Sequence, residues 1–296
     1  MLYCGTDTGL AAIDLEIGRP VWFFRTARKV FSTPAVDDGM VYFGSWDNNF
    51  YALNGTTGHL IWTFSDSAAF SSSPVVDSGL VFVGNYNGAV YAINKRSGSL
   101  VWRYPTNHWV VSSPAVYGEM VFVGGSDSFL YCFDKTSGRL IWKFQTGKDV
   151  VSTPAVNIET GKVYFGSHDR NVYCVDMITG QEIWRFETGD IISSSPAYAD
   201  DRVYIGSLDS TLYCLYAETG KEIWRFRSDG EIYGSPAVAG STVYFLSYDS
   251  NFYAFDALTG KFKYQFFIYE ISDETPAIVG NELYFGDRSG KIYRVQ

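Results

Sequence analysis

The 296-residue chain carries little charge and little sulfur. Charged residues make up 19% of it, only 4 residues are Cys, and the formal net charge is −9. An acidic chain has no general attraction to nucleic-acid phosphates or to anionic lipid. No apolar run approaches the roughly 20 residues that a membrane-spanning helix needs. The sequence therefore predicts no nucleic-acid partner and no membrane insertion.

The first ten residues, MLYCGTDTGL, also lack the features of a signal peptide. They contain neither a basic region nor the apolar stretch that should follow it. Cysteines that stay unpaired suit a reducing compartment. We expect a cytoplasmic location, with a periplasmic or extracellular one as the alternative if the chain is a mature or excised part of a longer protein.

Aromatic residues and glycine are abundant instead. Phe, Tyr and Trp together make up 18% of the chain, with 22 Tyr, 22 Phe and 8 Trp, and there are 29 Gly. Disordered chains are poor in aromatics, so disorder is excluded. Aromatic side chains favour half-buried pleated surfaces, and glycine favours tight turns. The composition indicates a folded protein rich in β-structure.

The main signal is an internal repeat of 40 residues, lengthened once to 42. Proline follows it at Pro34, Pro74, Pro114, Pro154, Pro196, Pro236 and Pro276. Tryptophan follows it at Trp22, Trp62, Trp102, Trp142, Trp184 and Trp224, and Tyr264 takes the next position. Two extra residues within 157–162 account for the longer spacing. Such a period indicates a repeat architecture.

Each repeat contains four short apolar or alternating runs, which we label A to D. In the repeat that starts at Ser32 they are 33–36, 41–44, 50–54 and 60–64. The runs are too short for helices and are bounded by Gly, Asp, Asn and Ser, as strands in hairpins are. Four strands in about 40 residues predict one blade of a β-propeller.

The number of blades follows less directly. Besides six complete repeats, the N-terminus supplies only B, C and D, and the C-terminus supplies only A, B and C. The resulting 30 strands exceed the 28 of seven four-stranded blades and fall short of the 32 of eight. We expect an all-β chain with a single β-propeller domain over 1–296. Eight blades, two of them incomplete, are favoured; seven, with 1–14 as a surplus hairpin, are the alternative.

Most of the repeated residues have structural interpretations. Asn54 and Gly58 illustrate an Asx side chain followed by a glycine that permits positive φ in the turn. Trp62, four residues later, is large enough to fill the gap to the next blade. Three Cys share one position in consecutive repeats, where adjacent blades are too far apart for a disulfide. We expect these three, Cys132, Cys174 and Cys214, to be small buried hydrophobes.

The repeat A-x-D-x-x-T-G-x-x-x-W resembles the tryptophan-docking motif of the pyrroloquinoline-quinone (PQQ)-like propeller family. Residues 173–184, YCVDMITGQEIW, are a close instance, and the resemblance covers nearly the whole chain. It implies eight blades. The family includes quinone-dependent alcohol dehydrogenases, the non-catalytic scaffold lipoprotein of the outer-membrane β-barrel assembly machinery, and sensor propellers of bacterial kinases. Such a fold does not determine function.

Catalytic chemistry lacks support in the sequence. The dehydrogenases of the family carry an adjacent Cys-Cys pair and a calcium held by acidic and amide side chains, but no two Cys are adjacent here. Calcium needs six to eight converging oxygens, whereas the Asp residues are spread one per repeat. No G-x-S-x-G, H-E-x-x-H or phosphate-loop motif occurs. We expect no enzyme, no catalytic residue, no metal, and neither PQQ nor calcium as a cofactor.

The repeats differ most in their D–A and B–C loops. These loops leave one face of a propeller because consecutive strands alternate in direction. Several of their aromatics lie outside the docking rhythm, and aromatics with Arg are typical of binding surfaces. The predicted binding face comprises Trp46, Tyr86, His108, Trp109, His168, Arg170, Tyr233, Tyr248, Tyr269 and Arg288. Alternatively, each aromatic packs over its own loop.

The function expected from these residues is a non-catalytic scaffold or binding module. It would recognise a protein partner or a small ligand through the D–A and B–C loops. One alternative is a small-molecule sensor propeller of a longer receptor or kinase. Another is a relative of the PQQ-dependent dehydrogenases.

Overall fold

The computed structural model describes residues 1–272, 275–280 and 282–295. Its regular elements in these ranges are β-strands, and no described helix is long and apolar enough to cross a membrane. Residue contacts divide the chain into two compact units, Met1–Gln145 and Thr146–Gln296, which we call the N-terminal and C-terminal units. The single domain over 1–296 stays a prediction.

The N-terminal unit contains four antiparallel sheets, blades 1 to 4, in which strands pair in chain order. Blade 1 is β1 (Leu2–Thr6), β2 (Gly9–Asp14) and β3 (Arg19–Arg25). Blade 2 is β4 (Ala35–Asp37), β5 (Met40–Gly44), β6 (Asn49–Asn54) and β7 (Leu60–Ser65). Blade 3 is β8 (Val75–Asp77), β9 (Leu80–Asn85), β10 (Ala89–Asn94) and β11 (Leu100–Pro105). Blade 4 is β12 (Ala115–Tyr117), β13 (Met120–Gly125), β14 (Phe129–Asp134) and β15 (Leu140–Gln145).

The C-terminal unit contains blades 5 to 8, built in the same order. Blade 5 is β16 (Ala155–Asn157), β17 (Lys162–Gly166), β18 (Asn171–Asp176) and β19 (Glu182–Glu187). Blade 6 is β20 (Ala197–Ala199), β21 (Arg202–Gly206), β22 (Thr211–Tyr216) and β23 (Glu222–Arg227). Blade 7 is β24 (Ala237–Ala239), β25 (Thr242–Ser247), β26 (Asn251–Asp256) and β27 (Phe262–Phe267). Blade 8 is β28 (Ala277–Val279), β29 (Glu282–Gly286) and β30 (Ile292–Val295).

The predicted eight-bladed β-propeller is confirmed, with six four-stranded blades and two three-stranded ones. The seven-bladed alternative is wrong because β3 pairs with β2, placing Trp22 opposite Ala12 in a sheet of its own. Residues 1–14 are therefore part of a blade. The A strands are shorter than predicted, since β4 begins at Ala35. Pro34 lies just outside the ladder, where its missing N–H costs no strand hydrogen bond.

Within each unit, docking tryptophans join neighbouring blades, as predicted. The indole Nε1 of Trp102 donates to the backbone carbonyl of Lys135 in blade 4 at 2.8 Å. Its ring lies on the C–D turn of that blade, so closely that a Cβ at Gly138 would come within 2.6 Å of the indole. In the C-terminal unit, Trp184 makes the same bond to Ala217 at 2.9 Å. Glycine is required at position 138 because it leaves room for the Trp102 indole and because its backbone has a positive φ of 70°.

The repeated cysteines face the docking tryptophans across the strand pair. Cys132 lies opposite Trp142, and Cys174 opposite Trp184, at a position where a small residue leaves room for the indole. Cys132, Cys174 and Cys214 are buried free thiols. Burial raises the pKa of each to about 12. The predicted packing role is confirmed, and thiols that stay protonated are poor nucleophiles.

Candidate binding face

The D–A and B–C loops lie side by side within each unit, joined by one recurring backbone hydrogen bond. A residue of the B–C loop donates its N–H to a D–A loop carbonyl, as Trp46 does to Lys29 at 2.9 Å and Tyr248 does to Glu231 at 2.9 Å. The residues that make this bond are Trp46, Tyr86, Ser126, His168, Leu208, Tyr248 and Arg288. One backbone arrangement thus presents six different residue types across blades 2 to 8, and five of these residues belong to the predicted face.

The aspartates of the B–C loops hold the loops together. One carboxylate oxygen of Asp169 accepts the hydroxyl of Tyr173 at 2.7 Å and the backbone N–H of Gly147 at 2.7 Å. Asp47, Asp127, Asp209 and Asp249 repeat this arrangement. Burial alone would raise the pKa of Asp169, but the hydrogen bonds outweigh it and lower the pKa. Sequence reasoning missed this structural role.

Four of the ten predicted residues meet in the N-terminal unit. The rings of Trp46 and Tyr86 lie 5.7 Å apart, those of Tyr86 and Trp109 5.1 Å, and those of Trp109 and His108 4.8 Å. The first two pairs are edge-to-face, a favourable geometry for aromatic rings. Because these side chains come from the loops of different blades, they pack against one another as well as over their own loops.

Phe31 extends this series, and sequence reasoning missed it. Its ring lies 5.2 Å from that of Trp46, and the Lys29 Nζ lies 4.1 Å from the Phe31 ring centroid and 4.3 Å from that of Trp46. We call Phe31, Trp46, Tyr86 and Trp109 the aromatic row. Phe31 is 58% exposed and Trp109 49% exposed. Phe31 could have been included from the sequence, because it is an aromatic residue in a D–A loop and lies outside the docking rhythm.

A shallow cavity of about 200 Å³ lies at the Trp109 end of the aromatic row. Its lining residues are Tyr86, Asn87, Gly88, Thr106, Asn107, His108 and Trp109. Asn107 is held there because its backbone N–H donates to Asp127 at 2.9 Å. Aromatic rings and amide groups therefore line one recess on this face.

The C-terminal unit brings together three other predicted residues. The rings of Tyr233 and Tyr248 are stacked, with centroids 4.6 Å apart. The Arg288 guanidinium donates to the Tyr248 hydroxyl at 2.8 Å and lies 5.4 Å from the centroid of its ring. Here a tyrosine pair and an arginine occupy loop positions like those of the aromatic row in the other unit.

The remaining three predicted residues make separate local contacts. His168 Nε2 lies 3.2 Å from Ser193 Oγ, and burial lowers the pKa of this histidine. Arg170 pairs with Glu187 at 2.8 Å. Tyr269 is 72% exposed, with the Lys291 Nζ 3.9 Å from its ring centroid.

The B–C loop aspartates are not arranged to hold one calcium ion together. The B–C loop carboxylates already accept tyrosine hydroxyls and backbone N–H groups, so they do not converge on one ion. Over 1–272, 275–280 and 282–295, no three His, Cys, Asp or Glu side chains are placed to hold a metal. The expected lack of a cofactor stays a prediction.

Comparison with known proteins gives a family and a fold. A family model described as outer membrane protein assembly factor BamB matches residues 1–74, 65–187 and 168–296. A search of curated proteins gives no match. The crystal structure of BamB from Moraxella catarrhalis superposes with a TM-score of 0.84 at 19% identity, covering 99% of this chain and 95% of that one.

A designed protein shares the fold as well. The computationally designed Ika8 protein superposes with a TM-score of 0.87 at 17% identity, covering 97% of this chain and 90% of that one. A shared fold does not determine function. Function has to be argued from the side chains on the loops.

Proposed function

Because the chain belongs to the family of the outer membrane protein assembly factor BamB, we propose that it is a non-catalytic scaffold that binds a protein partner through its D–A and B–C loops. The aromatic row of the N-terminal unit would make the main contact. The tyrosine pair and Arg288 of the C-terminal unit would present a second contact of different chemistry.

One observation carries the proposal: the same loop backbone presents six different residue types across blades 2 to 8. Trp46, Leu208 and Arg288 all make the same N–H bond to a D–A loop carbonyl. Packing of the frame does not require any particular side chain there, so these side chains are available for recognition. Large aromatic side chains dominate the energetics of many protein interfaces, and rings already packed against each other lose little conformational freedom on binding.

The size of the recess favours a protein over a small molecule. Its volume of about 200 Å³ lies below the roughly 300–1,000 Å³ typical of small-molecule sites. Partly exposed rings such as Phe31 and Trp109 instead offer a broad surface. The buried cysteines stay protonated, and the B–C loop aspartates already accept hydrogen bonds. Neither group therefore supplies an activated nucleophile or base. These features support a scaffold over a sensor or an enzyme.

Cross-linking and affinity capture with the full chain test the proposal. The double variant Tyr86→Ala with Trp109→Ala removes the centre and one end of the aromatic row. Phe23→Ala is the matched control, since Phe23 lies on β3 outside the loops and is 44% exposed. Wild type and control should capture the same outer-membrane assembly proteins, and the double variant should lose them.

Recovery of the same proteins with all three forms would contradict the proposal. Circular dichroism melts establish that each variant is folded before capture is compared. Capture of outer-membrane assembly proteins requires the periplasmic location, which is the alternative to the cytoplasmic one expected from the sequence. Both locations stay predictions, which cell fractionation distinguishes.

A further inference from the structure

The D–A loop that follows β3 is basic in an otherwise acidic chain. Residues 17–36 contain no Asp or Glu and four cations, which are Arg19, Arg25, Arg28 and Lys29. The whole chain, by contrast, holds 32 Asp and Glu against 23 Lys and Arg. We call residues 25–31 the basic loop. Because Phe31 belongs to it, positive charge and exposed aromatic surface meet at one end of the aromatic row.

The other D–A loops lack this charge. By sequence they are 66–70, 106–109, 146–150, 188–192, 227–233 and 269–274, and none of the six has a net positive charge. Their acidic residues include Asp66, Asp149, Asp190, Asp229 and Glu231. Complementary charges guide and orient partners at an interface. Among the D–A loops, the basic loop is therefore the one suited to an anionic group of a partner.

The Lys29 ammonium lies between two rings of the aromatic row and keeps its hydrogen-bonding capacity. Its Nζ is 4.1 Å from the Phe31 ring centroid and 4.3 Å from that of Trp46. Among the residues that the structure describes, Lys29 has no ion pair and its N–H groups have no acceptor. The exposed Arg28 has no ion pair there either. Two cations beside the row are thus available to an anionic group.

Asp47, in the B–C loop next to the basic loop, fixes the backbone of that loop instead of pairing with its cations. The Asp47 carboxylate accepts the N–H of Ala27 at 3.0 Å and the hydroxyl of Tyr51 at 2.9 Å. The Lys29 carbonyl accepts the N–H of Trp46 at 2.9 Å. A loop held at these points loses little conformational freedom when it binds a partner.

The opposite end of the aromatic row forms the recess described above. There Trp109, 49% exposed, borders the volume of about 200 Å³ together with Tyr86. Ring-to-ring steps of 5.2, 5.7 and 5.1 Å lead from Phe31 through Trp46 and Tyr86 to Trp109. An extended chain advances about 3.3 Å per residue, so roughly five residues cover this distance. One short segment can therefore contact the recess and the cations at once.

We propose that the partner segment bound by this face is acidic and extended. One of its apolar side chains would enter the recess beside Trp109, and carboxylates about five residues away would pair with Lys29 and Arg28. Such charge-assisted hydrogen bonds are stronger than those between neutral groups. The inference rests on the function proposed above, because it names the chemistry of a partner for the same face.

A single-stranded nucleic acid fits the same residues less well. Bases stack on free aromatic faces, but the rings of the row pack edge to face, with interplanar angles of 66°, 74° and 67°. Lys29 also lies over the rings of Phe31 and Trp46. The net charge of −9 further disfavours a phosphate backbone. These observations favour an acidic peptide over a nucleic acid.

Calorimetric titration of the full chain with acetyl-Leu-Gly-Ser-Gly-Ser-Glu-Asp-Glu-amide tests this inference. Two matched peptides carry Gln-Asn-Gln in place of the acidic residues, or Gly in place of Leu. The acidic peptide should bind at about millimolar concentration or below. Each matched peptide should bind at least about fivefold more weakly, as expected for the loss of exposed ion pairs or of one apolar contact. A short oligothymidylate should not compete.

Two variants with equal changes in net charge locate the site. Arg28→Gln with Lys29→Gln removes two cations from the basic loop and should weaken binding of the acidic peptide at least about fivefold. Arg96→Gln with Arg139→Gln removes two exposed cations from C–D turns, at the opposite ends of the strands, and should leave binding unchanged. Circular dichroism establishes that both variants are folded.

The inference is overturned if the acidic peptide does not bind, if either matched peptide binds equally well, or if both variants weaken binding equally. Tighter binding of the oligothymidylate would overturn it as well. The capture experiment separates this inference from the proposed function. If Tyr86→Ala with Trp109→Ala loses the captured proteins while Arg28→Gln with Lys29→Gln retains them, the scaffold function holds and the acidic segment is wrong.

Discussion

The two units share the same blade architecture. They differ in the loops at one end of their strands and in the turns at the other end. At the loops, the N-terminal unit carries the aromatic row, whereas the C-terminal unit carries a stacked tyrosine pair with Arg288. At the opposite turns, Lys95 pairs with Asp37 and Asp38 in the N-terminal unit. In the C-terminal unit Ala257 takes the position of Lys95, and Ala199 takes that of Asp37. Recognition chemistry thus changes where the backbone stays constant and packing does not dictate the side chain.

The largest expected change in the free energy of unfolding tests whether the docking tryptophans contribute equally to stability in the two units. Trp102 and Trp184 are each 8% exposed and bond to the next blade at 2.8 and 2.9 Å. Trp102→Ala and Trp184→Ala should each lower the free energy of unfolding by about 3–5 kcal/mol, as large-to-small core changes do. Urea unfolding followed by circular dichroism measures both.

Trp109→Ala serves as the contrast, since Trp109 is 49% exposed and outside the docking rhythm. Its cost should stay below about 1 kcal/mol, within the range of surface changes. If Trp109→Ala lowers the free energy of unfolding as much as Trp102→Ala does, docking tryptophans and loop tryptophans do not differ in their structural role. A negligible effect of Trp184→Ala would contradict the prediction as well.

A smaller effect is expected from the turn charges. Lys135→Met should destabilise the N-terminal unit by about 1 kcal/mol, because Asp77 and Glu119 are partly exposed and solvent screens the loss. Ala257→Lys should stabilise the C-terminal unit by a smaller amount, because Ala199 takes the position of Asp77 there. Both differences should shrink in about 1 M salt, where the screening length falls to roughly 3 Å. An unchanged thermal midpoint in Lys135→Met would contradict the prediction.

The smallest effect concerns the Asx turns, which should behave alike in the two units. Hydrogen bonds from the Ser137 side chain and backbone lower the pKa of Asp134 to about 2. A lowered pKa stabilises the fold above the unfolded value of about 3.9, and this contribution is lost as the pH falls towards 2. Asp134→Asn should therefore reduce the acid-induced fall in stability, by less than about 1 kcal/mol because the group is exposed.

The C-terminal counterpart sharpens this prediction. Hydrogen bonds from the Thr179 backbone and side chain lower the pKa of Asp176. Asp176→Asn should change the acid dependence in the same direction. Asn54 already caps its turn without a charge, accepting the N–H of Thr57 at 2.9 Å, so the fold tolerates the substitution. Urea unfolding at neutral and acid pH measures both variants, and a steeper acid dependence in either would contradict the prediction.

The blade architecture is predictable from the sequence alone because the blades need the same kinds of residue at the same positions. Each docking indole, such as Trp102, needs a glycine such as Gly138 in the next turn and a small residue across the strand. These demands recur every 40 residues and become visible as a repeat. The assignment of 1–14 to a blade rather than a surplus hairpin needed the pairing of β2 with β3.

The candidate site was only partly predictable, since side chains of neighbouring loops meet through space rather than along the chain. The sequence named Trp46, Tyr86 and Trp109 but not the Phe31 that extends their row.

We propose above that the loop face of the N-terminal unit contacts a protein partner. Photo-cross-linking from benzoylphenylalanine at position 109 or 31, with position 23 as the control, is the decisive measurement. Positions 109 and 31 should cross-link to one common protein, and position 23 should not. Cross-linking from position 23 alone, or equally from all three positions, would show that the partner does not bind the loop face.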